Sequence, residues 1–180
     1  MNIRAFPICI AKEEAGKMAE AQGYWLRKIF CPGKSLSEVR LHFIECKLIT
    51  YEVTHQPNLL DRLFARKEKA RKQEITMLAD GSCSSVAWVD TVPGIVILEN
   101  VHEDQIQYAD KDDKFLINKG RSAALKVIHR HVGGIPEIRE IKVESIFRPY
   151  WIAFFGEVIE GQKAHYSPIA ADGYMIQKTI

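Results

Sequence analysis

The sequence predicts an α+β protein made of two tandem homologous units, each a helix followed by an antiparallel β-meander and packed as helix on sheet. Three observations predict it. Glu38-Val39-Arg40-Leu41 is matched, residue type for residue type, by Glu140-Ile141-Lys142-Val143, 102 positions on. At the same offset the helical stretch 12–30 falls on 114–132, so that Ala21 and Leu26 coincide with Ala123 and Ile128. Each half also carries an identical tripeptide, Ala79-Asp80-Gly81 and Ala171-Asp172-Gly173; their spacing of 92 implies about ten extra residues between the strands of the first half. The boundaries expected are a first repeat over 1–102, holding a basic helical insertion at about 57–73, and a second over 103–180.

Each element follows from its periodicity. Ala11, Ala15, Met18, Ala19, Trp25, Leu26 and Ile29 recur every three or four residues opposite a charged face, which predicts an amphipathic helix stopped by Pro32-Gly33. From Ser37 the period becomes two, with Val39, Leu41 and Phe43 on one side. A second strand is expected over 47–54 after the charged step at Glu45. Asp80-Gly81 suits a tight hairpin because both residues tolerate positive φ. The acidic stretch 103–113 reads as a linker. The second half repeats the order: a helix over 114–132 ending at Gly133-Gly134, strands over 137–147 and 150–158 parted by Arg148-Pro149, and a last hairpin at Asp172-Gly173.

Composition narrows the function classes. A chain of 180 residues can bury a core without staples, and a formal charge of +2 gives no global field of the kind that marks a dedicated nucleic-acid binder. Cys9, Cys31, Cys46 and Cys83 are all fifteen or more residues apart, without the paired spacing of a zinc site, and read as reduced structural thiols. The N-terminus lacks the pattern of a signal peptide, and no apolar run approaches the roughly 20 residues a membrane span needs. A cytoplasmic, bacterial-type location is expected, with no cofactor.

The entry into the first helix, Pro7-Ile8-Cys9-Ile10-Ala11-Lys12-Glu13-Glu14-Ala15, and the strand-Asp-Gly-strand hairpins at Asp80-Gly81 and Asp172-Gly173 resemble the tandem PepSY and β-lactamase-inhibitor-like group of small α+β modules. The resemblance covers the order of elements over most of the chain. It implies a binding or inhibitory scaffold, often without catalytic residues.

The candidate chemistry lies in three places. Residues 147–155 pack five aromatics into nine positions, and as a strand they send Tyr150, Ile152 and Phe154 to one side and Trp151, Ala153 and Phe155 to the other. Such a segment is either a central strand covered on both faces or a recognition surface anchored by Arg148, since Trp, Tyr and Arg concentrate at binding hot spots. The insertion carries Arg62, Arg66, Lys67, Lys69, Arg71 and Lys72, either a solvated face or a phosphate-tracking helix. Glu45-Cys46-Lys47 and Glu140-Ile141-Lys142 spell the Glu-x-Lys that metal-dependent nucleases set around Mg²⁺, though neither has a convincing upstream Asp. The reading adopted is a non-enzymatic binding or regulatory module using Arg148, Tyr150 and Trp151 with Trp88 toward a protein or peptide partner. The alternative is a nucleic-acid-associated protein or nuclease using Arg62, Arg66, Lys67 and Lys69 with Glu45 and Lys47. A sheet edge left unpaired would suit a homodimer.

Overall fold

A computed structural model of the chain describes residues 1–22, 35–55, 71–131, 136–159 and 163–174. In chain order these form β1 (Ile3–Ala5), α1 (Lys12–Ala21), β2 (Leu36–His55), β3 (Arg71–Asp80), β4 (Val86–Val89), β5 (Val96–Leu98), a 3-10 turn (Glu103–Gln105), β6 (Ile106–Gln107), α2 (Asp113–His131), β7 (Glu137–Phe155) and β8 (His165–Ala170). The strands make one mixed sheet of eight, in the order β4-β3-β2-β7-β1-β5, with β6 on β2 and β8 on β7. Pairing is antiparallel for β1–β5, β2–β3, β3–β4 and β7–β8, and parallel for β1–β7 and β2–β6. Among the described residues no helix is long and apolar enough to cross a membrane.

This sheet corrects the expected fold class: the chain is not two helix-plus-meander units. Two residues that have the character of strand breaks in the sequence do not break strands in the fold. Glu45 was read as a charged step, yet β2 runs through it because its carboxylate is satisfied by the Ala109 N–H at 3.1 Å, the Ser145 hydroxyl at 2.5 Å and the Lys47 ammonium at 3.1 Å. The sequence predicts a break at Arg148-Pro149, yet β7 passes through it. The Ala171 N–H donates to the Pro149 carbonyl, and an ordinary residue at 149 would return a bond to the Ala171 carbonyl. Proline cannot, and that carbonyl instead accepts from the N–H groups of Cys9 and Ile10, at 2.8 and 2.9 Å. With neither break, each pair of short strands fuses into one strand, of 20 residues in β2 and 19 in β7.

The chain divides into two compact units, each drawing on both halves of the sequence. The first holds Met1–Ile44, Pro93–Gln107 and the chain from Phe147 to the end of the described residues; the second holds Glu45–Val92 and Tyr108–Ile146. In the first, α1 lays Ala15 and Ala19 on Val39, Ala153, Phe155 and Ile169, while Ile3, Ala5, Phe43 and Val101 form a smaller cluster. Small residues set the close approach of α1: a Cβ on Gly16 would lie 3.3 Å from Leu36 Cδ2. Glu13 and Glu14 in its first turn favour the positive end of the helix dipole.

In the second unit, α2 sets Leu116, Ala123, Ala124, Val127 and Ile128 against Ile49, Tyr51, Val53, Ile75, Met77, Ala79 and Val86, the alternate residues of β2, β3 and β4. The period of two in the sequence is here the period of burial. Gly120 lets α2 close on β2, since a Cβ there would stand 2.7 Å from the Tyr51 hydroxyl, which donates to the Ile117 carbonyl at 2.6 Å. The hairpin expected at Asp80-Gly81 is present, closed by the Asp80 N–H on the Ser85 carbonyl. Its glycine has a different cause from the one expected. The left-handed residue of the turn is Ser84, at φ 57°, and Gly81 is required because a Cβ would meet the Glu45 carbonyl at 2.5 Å and Ala109 Cβ at 2.6 Å. At the second tripeptide, Gly173 does take a positive φ of 72°.

Candidate binding face

The aromatic strand segment lies in the first compact unit, where β7 pairs with β8 in fixed register. Trp151 faces Ile169, Ala153 faces Ser167 and Phe155 faces His165 on one side; Tyr150 faces Ala170, Ile152 faces Pro168 and Phe154 faces Tyr166 on the other. The two sides differ in what covers them. Ala153, Phe155 and Ile169 are buried against Ala15 and Ala19 of α1, and Trp151 packs with them. The Trp151 indole N–H donates to the Ile10 carbonyl at 2.8 Å, so both its ring and its polar tip are used internally.

The other side is open. Tyr150, Ile152 and Phe154 are half-buried, Pro168 is exposed, and Tyr166 is 62% exposed. Phe154 and Tyr166 meet across the strands with ring centroids 6.3 Å apart, tilted by 51°. The Arg40 guanidinium lies 5.2 Å from the Phe154 ring centre, which puts Arg40 of β2 on the same face. Arg40 is also held by Glu38 at 2.6 Å, so its charge is balanced within the face. His42 follows on the same side of β2 by the two-residue period; burial, and then the nearby Arg40 charge, hold its imidazole below the ordinary histidine value of 6.5 against the opposing pull of Asp104.

Arg148 ends the row. It is 7% exposed and forms a two-pronged ion pair with Asp172, Nε to Oδ2 at 2.6 Å and Nη2 to Oδ1 at 3.1 Å. Nη2 also donates to the Tyr174 carbonyl at 2.8 Å, and Nη1 to the Tyr150 hydroxyl at 3.2 Å. The guanidinium carbon stands 5.2 Å from the Tyr150 ring centre. The Tyr174 N–H completes the Asp172 carboxylate at 3.0 Å. The structure therefore joins Arg148 to Tyr150 and sends Trp151 to the opposite side of the strand. Trp88, 41% exposed on β4, belongs to the other compact unit and pairs across from Met77.

The Glu-x-Lys at 45 and 47 is a second polar group, in the second compact unit. Lys47 is buried, at 8% exposed, and bridges Glu45 at 3.1 Å and Asp113 at 2.9 Å. Burial pushes the Glu45 carboxyl up, but hydrogen bonds from Ser145, the Ala109 N–H and Lys47 overcome it and hold the group below the usual range. Burial likewise pushes Lys47 down, and Asp113 and Glu45 reverse it. An ammonium more tightly protonated than usual is a poor nucleophile and already fills the space between the two carboxylates. Among the described residues no three His, Cys, Asp or Glu side chains are grouped to hold a metal ion. Arg62, Arg66, Lys67 and Lys69 lie outside the described residues.

Sequence reasoning had Tyr150 and Phe154 on one side of the strand but missed Tyr166, Pro168 and Arg40. The alternation in His165-Tyr166-Ser167-Pro168 was the available signal; its register against β7 was not. Comparison with protein-family models, with curated proteins and with solved structures finds no match, and nothing in it bears on the PepSY-like resemblance.

Proposed function

We propose that the protein is a non-enzymatic binding module whose working surface is the face formed by Tyr150, Ile152 and Phe154 of β7 with Tyr166 and Pro168 of β8, bordered by Arg40 and His42. The observation that carries this reading is the contrast between the two sides: Ala153, Phe155 and Ile169 are buried against α1, whereas Tyr150, Ile152 and Phe154 stay only half-buried beside the exposed Tyr166 and Pro168. One exposed and two partly exposed rings grouped on paired strands are the residue types and setting of an interface core. Arg148 is assigned a positioning role, holding the Tyr150 ring and hydroxyl from a buried ion pair.

The partner class is a protein segment with apolar side chains rather than a nucleic acid. Stacking platforms for single strands pair their rings with cations free to track phosphates, and here Arg40 is engaged by Glu38 and Arg148 by Asp172.

The test is a displayed library of extended peptides, with selected sequences measured by fluorescence anisotropy. Phe154→Ala and Tyr166→Ala should each weaken binding by about 30-fold, the equivalent of roughly 2 kcal/mol for a hot-spot ring. Affinity should change little between low and high salt. Peptide binding insensitive to both substitutions would refute the face; binding of single-stranded DNA with a steep loss in salt would refute the partner class.

A further inference from the structure

The strand order ends at β5, and among the described residues no strand lies beyond it. Three features make this edge unusual. It is apolar throughout, Ile95-Val96-Ile97-Leu98, between Pro93-Gly94 and Glu99-Asn100. It carries no lysine or proline within the strand, the devices by which edges are kept from pairing, whereas the peripheral strand β8 contains Pro168. Two of its three side chains are exposed, Val96 at 37% and Ile97 at 68%, while Leu98 packs on the cluster of Ile3, Ala5, Phe43 and Val101. Its inner edge is fixed by β1, with Arg4 facing Ile97 and Ala5 facing Val96.

We propose that β5 is the dimerisation edge of this protein, pairing antiparallel with β5 of a second copy about a twofold axis at Ile97. The sequence of this edge is complementary to itself in that arrangement. Ile97 meets its own equivalent and Val96 meets Leu98 of the second copy, so apolar side chains match on both sides of the extended sheet. Like charges stay apart. The two Glu99 carboxylates fall at opposite ends of the paired segment, four residues or about 14 Å from each other, and the two Arg4 side chains are separated by three strand spacings, again about 14 Å. Both separations exceed the screening length of about 8 Å at physiological salt. A peptide of unrelated sequence has no such built-in match, which favours a second copy as occupant. The contact is short, so the dimer is concentration-dependent.

Sedimentation velocity from low micromolar to near-millimolar protein should show monomer passing to dimer, and Ile97→Lys should remain monomeric over the same range with an unchanged circular dichroism spectrum. Ile97→Cys gives an independent reading, since two copies related by this axis should form a disulfide under mild oxidation at a yield far above that of the parent chain with its native Cys9 and Cys83. A parent chain that stays monomeric, an Ile97→Lys variant that still dimerises, open-ended oligomers, or Ile97→Cys crosslinking no better than the parent would each overturn the proposal.

Discussion

Replacing Asp172 with Asn should destabilise the protein more than almost any other isosteric change. The Asp172 side chain is fully enclosed and that of Arg148 is 9% exposed. The carboxylate accepts from Arg148 Nε and Nη2 and from the Tyr174 N–H. Asn keeps the shape but removes the charge and turns one acceptor into a donor aimed at the guanidinium, leaving a buried cation uncompensated. Breaking such a pair from one side costs about 3–5 kcal/mol. At about 2–4 °C per kcal/mol for a chain of this size, the midpoint should fall by roughly 6–20 °C. Urea unfolding followed by tryptophan fluorescence measures the loss as a lower midpoint at unchanged slope. Arg148→Met combined with Asp172→Leu should recover most of it, because an apolar pair of similar volume avoids desolvating two charges. A loss below about 1 kcal/mol for Asp172→Asn would refute the reasoning, since that is the value of a solvated surface pair.

Three further outcomes follow from packing and charge. Gly120→Ala should lower stability by about 1–3 kcal/mol in urea unfolding, although alanine favours a helix, because the new Cβ at 2.7 Å must displace the buried Tyr51 hydroxyl from its bond to Ile117. His42 should titrate below 6.5 by proton NMR; the folded state then binds that proton less readily than the unfolded one, so stability present above pH 6.5 is lost as pH falls through the folded value, and His42→Gln should remove that loss. Glu45 is depressed below 4.5, so its contribution is full above that pH and disappears as pH falls through the lower folded value; Glu45→Gln should flatten the acid limb of the stability profile, and an unchanged limb would show that the Ser145 and Ala109 bonds do not act on the charged form.

Local order was legible in the sequence where it depended on neighbours in the chain. Spacings of three and four among Ala15, Met18 and Ala19 marked α1, the later helix was expected within a residue of α2, and Asp80-Gly81 marked its hairpin. What failed depended on partners far away. Nothing adjacent to Glu45 reveals that Ala109 and Ser145 will satisfy its carboxylate, and nothing adjacent to Pro149 reveals that Cys9 and Ile10 will take up the carbonyl it leaves. Each was therefore read as a break, and two long strands became four short ones. The candidate face was half visible for the same reason. The alternation of Tyr150, Ile152 and Phe154 is local, whereas the placement of Tyr166 and Arg40 beside Phe154 is set by strand pairing across the chain. Arg148 is expected from the sequence to be the charged anchor of a recognition surface, whereas in the fold its charge is engaged by Asp172, 24 residues away.

The way the first compact unit draws on both halves of the chain has a consequence for biosynthesis. A ribosome delivers α1 and the start of β2 early, but the residues that cover their apolar sides, Ala153, Phe155 and Ile169, come much later. From Val39 to Ala153 is 114 residues, which at about 5–20 residues per second is roughly 6–23 seconds of translation. Throughout that interval Ala15, Ala19 and Val39 have only one another and near neighbours such as Met18 and Leu36 as native cover, so part of their apolar surface stays open on the nascent chain. Completion of β7 and β8, not emergence of the first helix, sets when this unit can fold.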